Sequence, residues 1–486
     1  YPGVQLSDGS NATVIAWIWA RTVTCANPAC GIAMPLVRSW WLSKKKGSET
    51  FVTYNVVDDA THPSGLRVQF HVSCEQSKAP TEATDGTVGR TGAVCISCGS
   101  SVRLEYDRSE SRRIGPGSQL MAVVADVNRR RAYLSPSSTH EDAAETGRPD
   151  DVPAGELFDW PGRINVYRYG LTQFSDLFTN RQLVGLTAFS DLVGEARSKV
   201  VDDGGSREYA AAVATYLGLA VSRTTDYSSS ICSWHSGRDT ARNVFARQAI
   251  PMVWDYVESN LISGKSGSVA SQLSWISSVV AALVPAAAGT VDQADAGARD
   301  YSGFVVSTDP PYYDNIDYSD LSDFFYVWLR RSLRDVHPDL LSTLLVPKAE
   351  ELVANPYRHA GKAAAKDFFE AGFRRVFERI RSSTRVDYPI TVWYAFKQSE
   401  SDALGAASTG WETLLEGMIR AGWEITSTWP NRSEMSNRMI ASGSNALASS
   451  IVLSLRPRRE GAPTTDRRGF IAALEDELPQ ALRRLQ

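Results

Sequence analysis

The residues whose types and order suggest chemistry most directly are Asp309-Pro310-Pro311-Tyr312. Two prolines fix the backbone and remove two N–H donors, so this turn presents acceptors: the Asp309 carboxylate and the Pro310 carbonyl. The exocyclic amino group of a nucleobase has two N–H donors and a delocalised lone pair. Two acceptors would orient that amine and favour the geometry in which it attacks. Tyr312 adds a flat face for stacking on the base, worth about 1–3 kcal/mol.

The elements around this turn favour a site over a purely structural turn. Gly303–Thr308 predicts a short buried strand, and Asp320–Leu333 predicts the helix that follows. Ligands in open α/β sheets bind beyond the carboxyl ends of the strands, where Asp309 is expected to lie. A base within a duplex must be extruded to reach it. The alternative is a proline-rich turn in which Asp309 caps the helix.

Four cysteines form two closely spaced pairs, and a glycine follows each pair: Cys25 and Cys30, then Cys95 and Cys98. Four thiolates complete the tetrahedral shell of a zinc ion and leave no position for water, so the expected site is structural. The alternative is four ordinary reduced cysteines. Cys74 and Cys232 have no partner pattern and are expected to be buried apolar residues.

Candidate nucleic-acid contacts come from two stretches. Lys44, Lys45 and Lys46 follow two tryptophans within the cysteine-containing segment. Three further candidates lie in the polar loop between the last two predicted strands, namely Arg432, Arg438 and Asn445. Such groups would position a phosphate backbone without reading its sequence. The alternative for each cluster is an ordinary solvated surface.

Composition narrows the class of protein. The 486 residues are 43% hydrophobic and 22% charged, which excludes a chain disordered throughout. A formal net charge of −4 excludes a uniformly basic nucleic-acid coat. No apolar run is long enough to span a membrane. Six cysteines are too few for a disulfide scaffold and indicate a reducing compartment, so we expect a cytoplasmic location without a membrane partner.

The coarse pattern predicts an α/β fold. After residue 303, strands at 389–396, 423–429 and 448–455 alternate with helices at 368–380 and 413–421. The last two strands have no helix between them, which predicts an antiparallel pair at one sheet edge. Earlier in the chain, the pattern predicts helices at 174–201 and 207–219. A further helix, bent at Pro251, is expected over 241–260.

Three segments together resemble the large bacterial and archaeal adenine-specific DNA methylases that carry a zinc ribbon: Asp309–Tyr318, Arg247–Asp255 and Gly443–Ser450. The likeness covers nearly the whole chain. It implies a class I methyltransferase sheet, Rossmann-like with an antiparallel edge strand. It also implies S-adenosylmethionine-dependent transfer to adenine N6 of DNA, with Asp309, Pro310, Pro311 and Tyr312 as the catalytic residues. Restriction-modification or phage defence, with other subunits of such a system as partners, is the implied biology.

With that resemblance, the chain divides into six expected segments: a strand of the methyltransferase core at 1–20, a zinc-ribbon insert at 21–106, strands and a linker at 107–161, a helical region for target recognition at 162–300, the catalytic core at 301–460, and a C-terminal helix at 461–486.

One feature of the family is not found in the sequence. Its glycine-rich cofactor loop should precede the zinc unit, whereas Gly86, Gly89 and Gly92 lie just before a cysteine pair and predict a turn. We therefore expect this chain to be the central and catalytic part of a longer protein. The loop would lie on an N-terminal segment or a second polypeptide, which leaves Asp309 as the one candidate cofactor contact.

Two alternatives remain open. The same pair of acceptors would serve methylation of cytosine N4 or of an amine on an RNA base. A different class of function is a DNA-binding scaffold subunit that is catalytically silent because it lacks the cofactor loop.

Overall fold

The structure is a computed structural model that describes residues 1–486 apart from 7, 129, 285–286, 288, 314–315, 386, 396–408, 432–449 and 486. The chain forms two compact units. The first unit comprises Tyr1–Gly289 and Tyr318–Lys348, and the second comprises Thr290–Asp317 and Ala349–Gln486. Among the described residues, no helix combines the length and the apolar character that crossing a membrane requires.

The strands of the first unit are β1 (Val4–Gln5), β2 (Asn11–Thr24), β3 (Ala33–Leu36), β4 (Trp41–Ser43), β5 (Thr50–Asp58), β6 (Leu66–Ser73), β7 (Gly92–Val94), β8 (Ser101–Arg103), β9 (Gly117–Val127), β10 (Arg130–Leu134), β11 (Ser233–His235), β12 (Thr240–Arg242) and β13 (Asp255–Ser259). Strand β2 is the centre of the largest sheet and pairs antiparallel with β1, β3, β9 and β13. Smaller antiparallel sheets are β4-β5-β6, β7-β8 and β11-β12.

The strand predicted at the start of the chain exists, and it belongs to a different sheet from the strand before Asp309. Residues 12–20 lie in β2, whose partners are antiparallel strands of the first unit, whereas Asp309 follows a strand of a separate sheet. A continuous apolar run predicts burial of a strand, and Val14 to Ala20 are indeed buried. It does not identify the partner strand, because pairing depends on residues far away in the sequence.

The helix predicted over 241–260 is wrong. This stretch contains β12, a short 3-10 turn at Val244–Ala246 and β13. Strand β13 pairs with β2 through Tyr256 opposite Trp19 and Val257 opposite Ile18. Apolar residues that match a helical period over a short window also match a buried strand, and here the neighbouring β2 determines the outcome.

The helices of the first unit are α1 (Leu104–Ile114), α2 (Ser138–Asp142), α3 (Asn180–Asp202), α4 (Arg207–Thr225), α5 (Val269–Ala282) and α6 (Tyr318–Leu333). Helices α3 and α4 confirm the two predicted helices. Helix α6 follows the Asp309 turn in sequence, yet Tyr326 and Leu333 pack in a cluster with Val193 and Val221. The expected catalytic core at 301–460 is therefore divided between the two units.

The second unit contains the strands β14 (Ser307–Thr308), β15 (Ile390–Ala395), β16 (Trp423–Asn431) and β17 (Ser450–Pro457) and the helices α7 (Lys362–Ser383), α8 (Thr409–Arg420) and α9 (Arg467–Leu485). The sheet order is β14-β15-β17-β16. Strand β14 runs parallel to β15, and β17 is antiparallel to both of its neighbours. Phe369, Phe373 and Phe377 of α7 pack in the core with Val392 and Leu453 of the sheet.

The predicted antiparallel pair at the sheet edge is confirmed, with one refinement. The edge strand is β16, and the strand antiparallel to the others, β17, lies between β16 and β15. The predicted buried strand at 303–308 is reduced to Ser307–Thr308, where Ser307 is exposed and Thr308 half-buried, and within 303–308 burial is confined to Val306. The fold is thus mixed α/β with several antiparallel sheets.

Candidate functional site

The four paired cysteines lie at the turns of two hairpins in the first unit. Cys25 and Cys30 belong to the turn between β2 and β3, and Cys95 and Cys98 belong to the turn between β7 and β8. These turns bring thiols about 70 residues apart in sequence into one group, as the prediction of a metal site required. We call these four residues the cysteine cluster.

The spacing of the sulfur atoms suits a tetrahedral metal ion. All four Sγ atoms lie within 4.8 Å of one another. The Sγ atoms of Cys25 and Cys98 are 3.7 Å apart, and those of Cys30 and Cys95 are 3.9 Å apart. A zinc ion with bonds of about 2.3 Å to four sulfurs requires sulfur–sulfur edges of about 3.8 Å. The residues therefore fit a closed zinc shell made of four thiolates.

Backbone hydrogen bonds hold each turn in a similar shape. The Gly31 N–H donates to the Asn27 carbonyl at 3.0 Å, and the Gly99 N–H donates to the Cys95 carbonyl at 2.8 Å. Both glycines have positive φ, 56° at Gly31 and 73° at Gly99. Because that conformation strains side chains with a Cβ, these positions favour glycine, in agreement with the pattern in the sequence.

Because most of the cluster is buried, its thiolate forms are unfavourable unless a bound cation balances their charge. Cys25, Cys30 and Cys95 are buried and Cys98 is exposed. Burial raises the pKa of Cys25 to about 12 and also raises the pKa of Cys95. The Ser100 hydroxyl lowers the pKa of the Cys98 thiol to about 6. A bound dication would compensate the buried thiolates, so metal binding would release protons and stabilise the local fold.

The two remaining cysteines lie outside the cluster and differ from each other. Cys232 is buried, as predicted, and its thiol contacts the Asp226 carbonyl at 3.3 Å. The prediction that Cys74 is buried is wrong, because this residue is exposed just after the end of β6.

The turn formed by Asp309, Pro310, Pro311 and Tyr312, here called the acceptor turn, lies in the second unit directly after β14. Asp309 is exposed, and the three residues that follow are half-buried. Strand β14 pairs in parallel with β15, with Thr308 opposite Val392. The acceptor turn therefore lies at the carboxyl end of a parallel strand and is open to solvent, as the sequence predicted.

Tyr312 contacts both the catalytic candidate and the neighbouring strand. Its hydroxyl donates a hydrogen bond of 2.9 Å to Asp309 Oδ1. Its ring packs edge-on against Tyr394 of β15, with centroids 5.3 Å apart and an interplanar angle of 84°. The ring is thus held against β15, while its hydroxyl bonds the carboxylate.

The residue after the turn is conformationally strained. Tyr313 has φ of 46°, a region in which a bulky residue costs about 1–3 kcal/mol. Its carbonyl accepts a 2.9 Å hydrogen bond from the Ala354 N–H, and its ring packs edge-on against Phe369. Surrounding contacts of this kind, rather than local preference, maintain such a conformation.

Models of known protein families, curated protein sequences and solved structures were compared with the chain, and none of them matches it.

The predicted nucleic-acid contacts differ in how their charges are placed. Lys45 forms a 2.7 Å ion pair with Asp239, and Lys44 lies 3.9 Å from Asp85 and over the Trp41 ring. Lys46 is exposed. The other three predicted contacts, Arg432, Arg438 and Asn445, lie outside the described residues.

The glycines before the second cysteine pair do not form a cofactor loop. A Cβ on Gly86 would lie 2.5 Å from the Arg38 carbonyl oxygen, and one on Gly92 would lie 2.2 Å from that of Val102. These glycines therefore allow backbone segments of the first unit to pack closely. Gly92 begins β7, so it does not lie in the predicted turn.

A glycine-containing loop between a strand and a helix does exist, at residues 260–268 between β13 and α5. The sequence reasoning missed it because 241–260 was predicted to be a helix. The polar side chains of this loop already have partners within the protein. Asn260 donates to the Val14 carbonyl, Lys265 pairs with Asp126, and Ser268 caps α5. These three side chains therefore stabilise the loop within the first unit.

Residues that sequence reasoning missed surround the acceptor turn. Tyr394 supports Tyr312, and Ala354 holds the Tyr313 carbonyl. The segment carrying Ala354 is itself closed by a 2.6 Å ion pair between Glu351 and Arg358. No local motif marks these residues, because each acts through a contact distant in sequence. The one signal in the sequence that this turn packs against other residues was the run of aromatic residues after Asp309.

Proposed function

We propose that the chain is an S-adenosylmethionine-dependent DNA methyltransferase that modifies adenine N6. The observation that carries the proposal is an exposed carboxylate, Asp309, placed by a two-proline turn at the carboxyl end of a parallel strand. The resemblance of three segments to zinc-ribbon adenine methylases supports the same assignment. Restriction-modification or phage defence is the biology proposed from that resemblance.

In this proposal the acceptor turn binds the target amine. The Asp309 carboxylate and the Pro310 carbonyl accept the two N–H groups of adenine N6 and orient the nitrogen lone pair for attack. The Tyr312 ring stacks on the extruded base, and the Tyr394 ring packs edge-on against the Tyr312 ring. S-adenosylmethionine would supply the methyl group.

The hydrogen bond between Tyr312 and Asp309 indicates how the turn is organised before substrate binds. The Tyr312 hydroxyl donates a hydrogen bond of 2.9 Å to Oδ1 of the Asp309 carboxylate. A carboxylate has about four acceptor sites, so it can retain this bond and still accept one from the base amine. Tyr312 would then orient both the carboxylate and the stacked base.

The cysteine cluster has a structural part in the proposal. Cys25, Cys30, Cys95 and Cys98 would hold one zinc ion with no open position, and the ion would join the β2–β3 turn to the β7–β8 hairpin. It belongs to the first unit and performs no chemistry on the base.

Labelled methyl transfer tests the proposal. The full chain, supplied with the segment or polypeptide that carries the cofactor loop and with S-adenosylmethionine carrying a labelled methyl group, is expected to label duplex DNA at N6-methyladenine after hydrolysis of the product. Asp309→Ala should lower the rate by a factor of about 10² or more, because it removes an acceptor for the amine. The zinc content of this variant should equal that of the wild type.

The same assay separates the alternatives. Label found in N4-methylcytosine would show that the substrate is cytosine N4. Label found in RNA and not in DNA would show that the substrate is an amine of an RNA base. DNA binding without S-adenosylmethionine binding and without transfer, even with the polypeptide that carries the cofactor loop, would identify a scaffold subunit. Full activity of Asp309→Ala would remove the catalytic assignment.

A further inference from the structure

Two segments almost 200 residues apart in sequence form one surface in the first unit. The Lys44 N–H donates to the Ser236 carbonyl at 2.9 Å, and Lys45 Nζ lies 2.7 Å from Asp239 Oδ2. The loop after β4 is thereby joined to the tight turn between β11 and β12. Asp239 is buried and has a φ of 52°, a left-handed conformation within this turn.

The charges on this surface fall into two groups. Lys44 and Lys45 have carboxylate neighbours, Asp85 and Asp239. The second group consists of three exposed cations: Lys46, Arg238 and Arg242. In the part of the chain that the structure describes, none of these three forms an ion pair with a carboxylate. We call these three residues the basic face.

The local balance of charge is positive although the chain is acidic. The segments 44–49 and 236–242, together with the ion-pair partner Asp85, contain the five cations of the two groups above. They contain three carboxylates, those of Glu49, Asp85 and Asp239. The whole chain has a formal net charge of −4. The pKa of His235 is lowered first by burial and then by the charges of Arg242 and Arg238. Both guanidinium groups therefore act on the same small region.

The loop also presents an aromatic ring. Lys44 Nζ lies 5.6 Å from the centroid of Trp41, and the Trp234 indole N–H donates to the Leu42 carbonyl at 2.7 Å. The second contact fixes the hairpin strand β11 to the end of β4. Arg242 lies on β12, and Lys46 and Arg238 lie in the turns that follow β4 and β11, so the paired strands position the basic face.

We propose that the basic face binds the phosphodiester backbone of a nucleic-acid duplex, without reading its sequence. Lys46, Arg238 and Arg242 each provide a cation that needs no internal carboxylate, and each can contact one phosphate. Lys44 and Lys45, in contrast, act mainly to join the two segments. The inference deepens the proposed function, since DNA is the substrate there, but it concerns affinity and not methyl transfer.

Salt dependence of DNA binding tests the proposal. Equilibrium affinity of the full chain for duplex DNA is measured over a series of salt concentrations, for the wild type and for Lys46→Gln/Arg238→Gln/Arg242→Gln. The slope of log K against log salt should become shallower by about 2–3, because each lost phosphate contact contributes about 0.9. Affinity at low salt should fall at least about tenfold.

A matched control removes the same charge from other elements. Arg207 and Lys362 lie on α4 and α7, Arg459 lies just after β17, and all three are exposed. The variant Arg207→Gln/Lys362→Gln/Arg459→Gln should retain the wild-type slope. Circular dichroism and zinc content should be unchanged in both triple variants. Equal loss of affinity in the two variants, or no change of slope in the basic-face variant, would overturn the proposal.

Further arms identify the ligand and separate this inference from the proposed function. Duplex DNA and duplex RNA both carry the phosphodiester backbone, and their relative affinities show which is the natural source. Preferential binding of the basic face to anionic lipid vesicles would contradict the proposal. Asp309→Ala should bind DNA like the wild type. If the wild type transfers no methyl group even with the polypeptide that carries the cofactor loop, but the basic-face variant still loses DNA affinity, the proposed function fails while this inference stands.

Discussion

Tyr312 connects the Asp309 carboxylate to the neighbouring strand β15 through two different parts of its side chain. Its hydroxyl bonds the Asp309 carboxylate, and its ring contacts Tyr394 on the adjacent strand. The order Asp-Pro-Pro-Tyr predicted a rigid turn with acceptors and a stacking ring, and the structure confirms the position of that turn beyond a strand. It could not predict Tyr394 or the positive φ of Tyr313, because both depend on contacts with distant residues.

A second residue of interest is the buried acid Asp107 on α1. Its side chain has no exposed surface, and neither carboxylate oxygen has a hydrogen-bond partner among the described residues. Burial raises the pKa of Asp107 from 3.8 to about 6. The folded protein therefore binds this proton more strongly than the unfolded chain. The associated stability is greatest below the unfolded pKa and is lost as the pH rises through the folded pKa.

Asp107→Asn should remove this pH dependence. Its amide stays neutral, so at pH 8 the variant should be more stable than the wild type by up to about 3 kcal/mol, and near pH 4 the two should be close. Urea unfolding at the two pH values measures the difference. Asp142→Asn, at an exposed acid, is the control and should change neither value. A variant that is less stable than the wild type at pH 8 would contradict the account.

At the scale of elements, the cysteine cluster was predictable because its signal is local. Two short spacings and two glycines, Gly31 and Gly99, indicate two tight turns, and the positive φ values confirm them. The helix predicted at 241–260 was wrong because β13 is determined by its pairing with β2. The basic face was half predictable. Lys46 is the last residue of a run of three lysines that is visible in the sequence. Arg238 and Arg242 come near Lys46 only through tertiary contacts.

Cys95→Ser should abolish stoichiometric zinc binding. The protein is expected to bind one zinc ion per chain, and loss of one ligand opens the tetrahedral shell. Cys74→Ser is the control, since Cys74 lies outside the cluster and is exposed. Metal content after purification in trace zinc measures the result. Equal zinc in both variants would exclude a zinc site formed by the cysteine cluster.

Glycines on two neighbouring helices predict opposite effects of the same substitution. A Cβ on Gly218 of α4 would lie 2.6 Å from Leu333 Cγ of α6, whereas one on Gly194 of α3 meets nothing within 4 Å. Gly218→Ala should therefore destabilise by about 1–3 kcal/mol through overpacking. Gly194→Ala should stabilise by up to about 1 kcal/mol through helix propensity. Chemical denaturation measures both, and a stabilising Gly218→Ala would contradict this packing.

At the scale of the whole molecule, the chain has two units with separate cores. The second unit packs α7 against the sheet through Phe373 and its neighbours. The first unit contains the cysteine cluster and the helices α3, α4 and α6. Units with their own cores can unfold independently, so two calorimetric transitions are expected.

Chelation of zinc should lower the Tm of one transition and leave the other nearly unchanged. Phe373→Ala should do the reverse, since it removes a buried ring of the second unit at a cost of about 3–5 kcal/mol. Differential scanning calorimetry measures both changes. A single transition that both treatments shift equally would show that the chain unfolds as one unit.

The central claim, that the acceptor turn grips the amine of an extruded base, is tested most directly by deleting that amine. Once the methylated site is known, DNA affinity is measured with adenine or purine at the target position, for the wild type and for Asp309→Ala. The wild type should lose about 10- to 150-fold on the change to purine, as expected for a hydrogen bond to a charged acceptor, and Asp309→Ala should lose only about 2- to 10-fold, because the Pro310 carbonyl still accepts from the amine. Equal losses in the two proteins would show that Asp309 does not contact the amine.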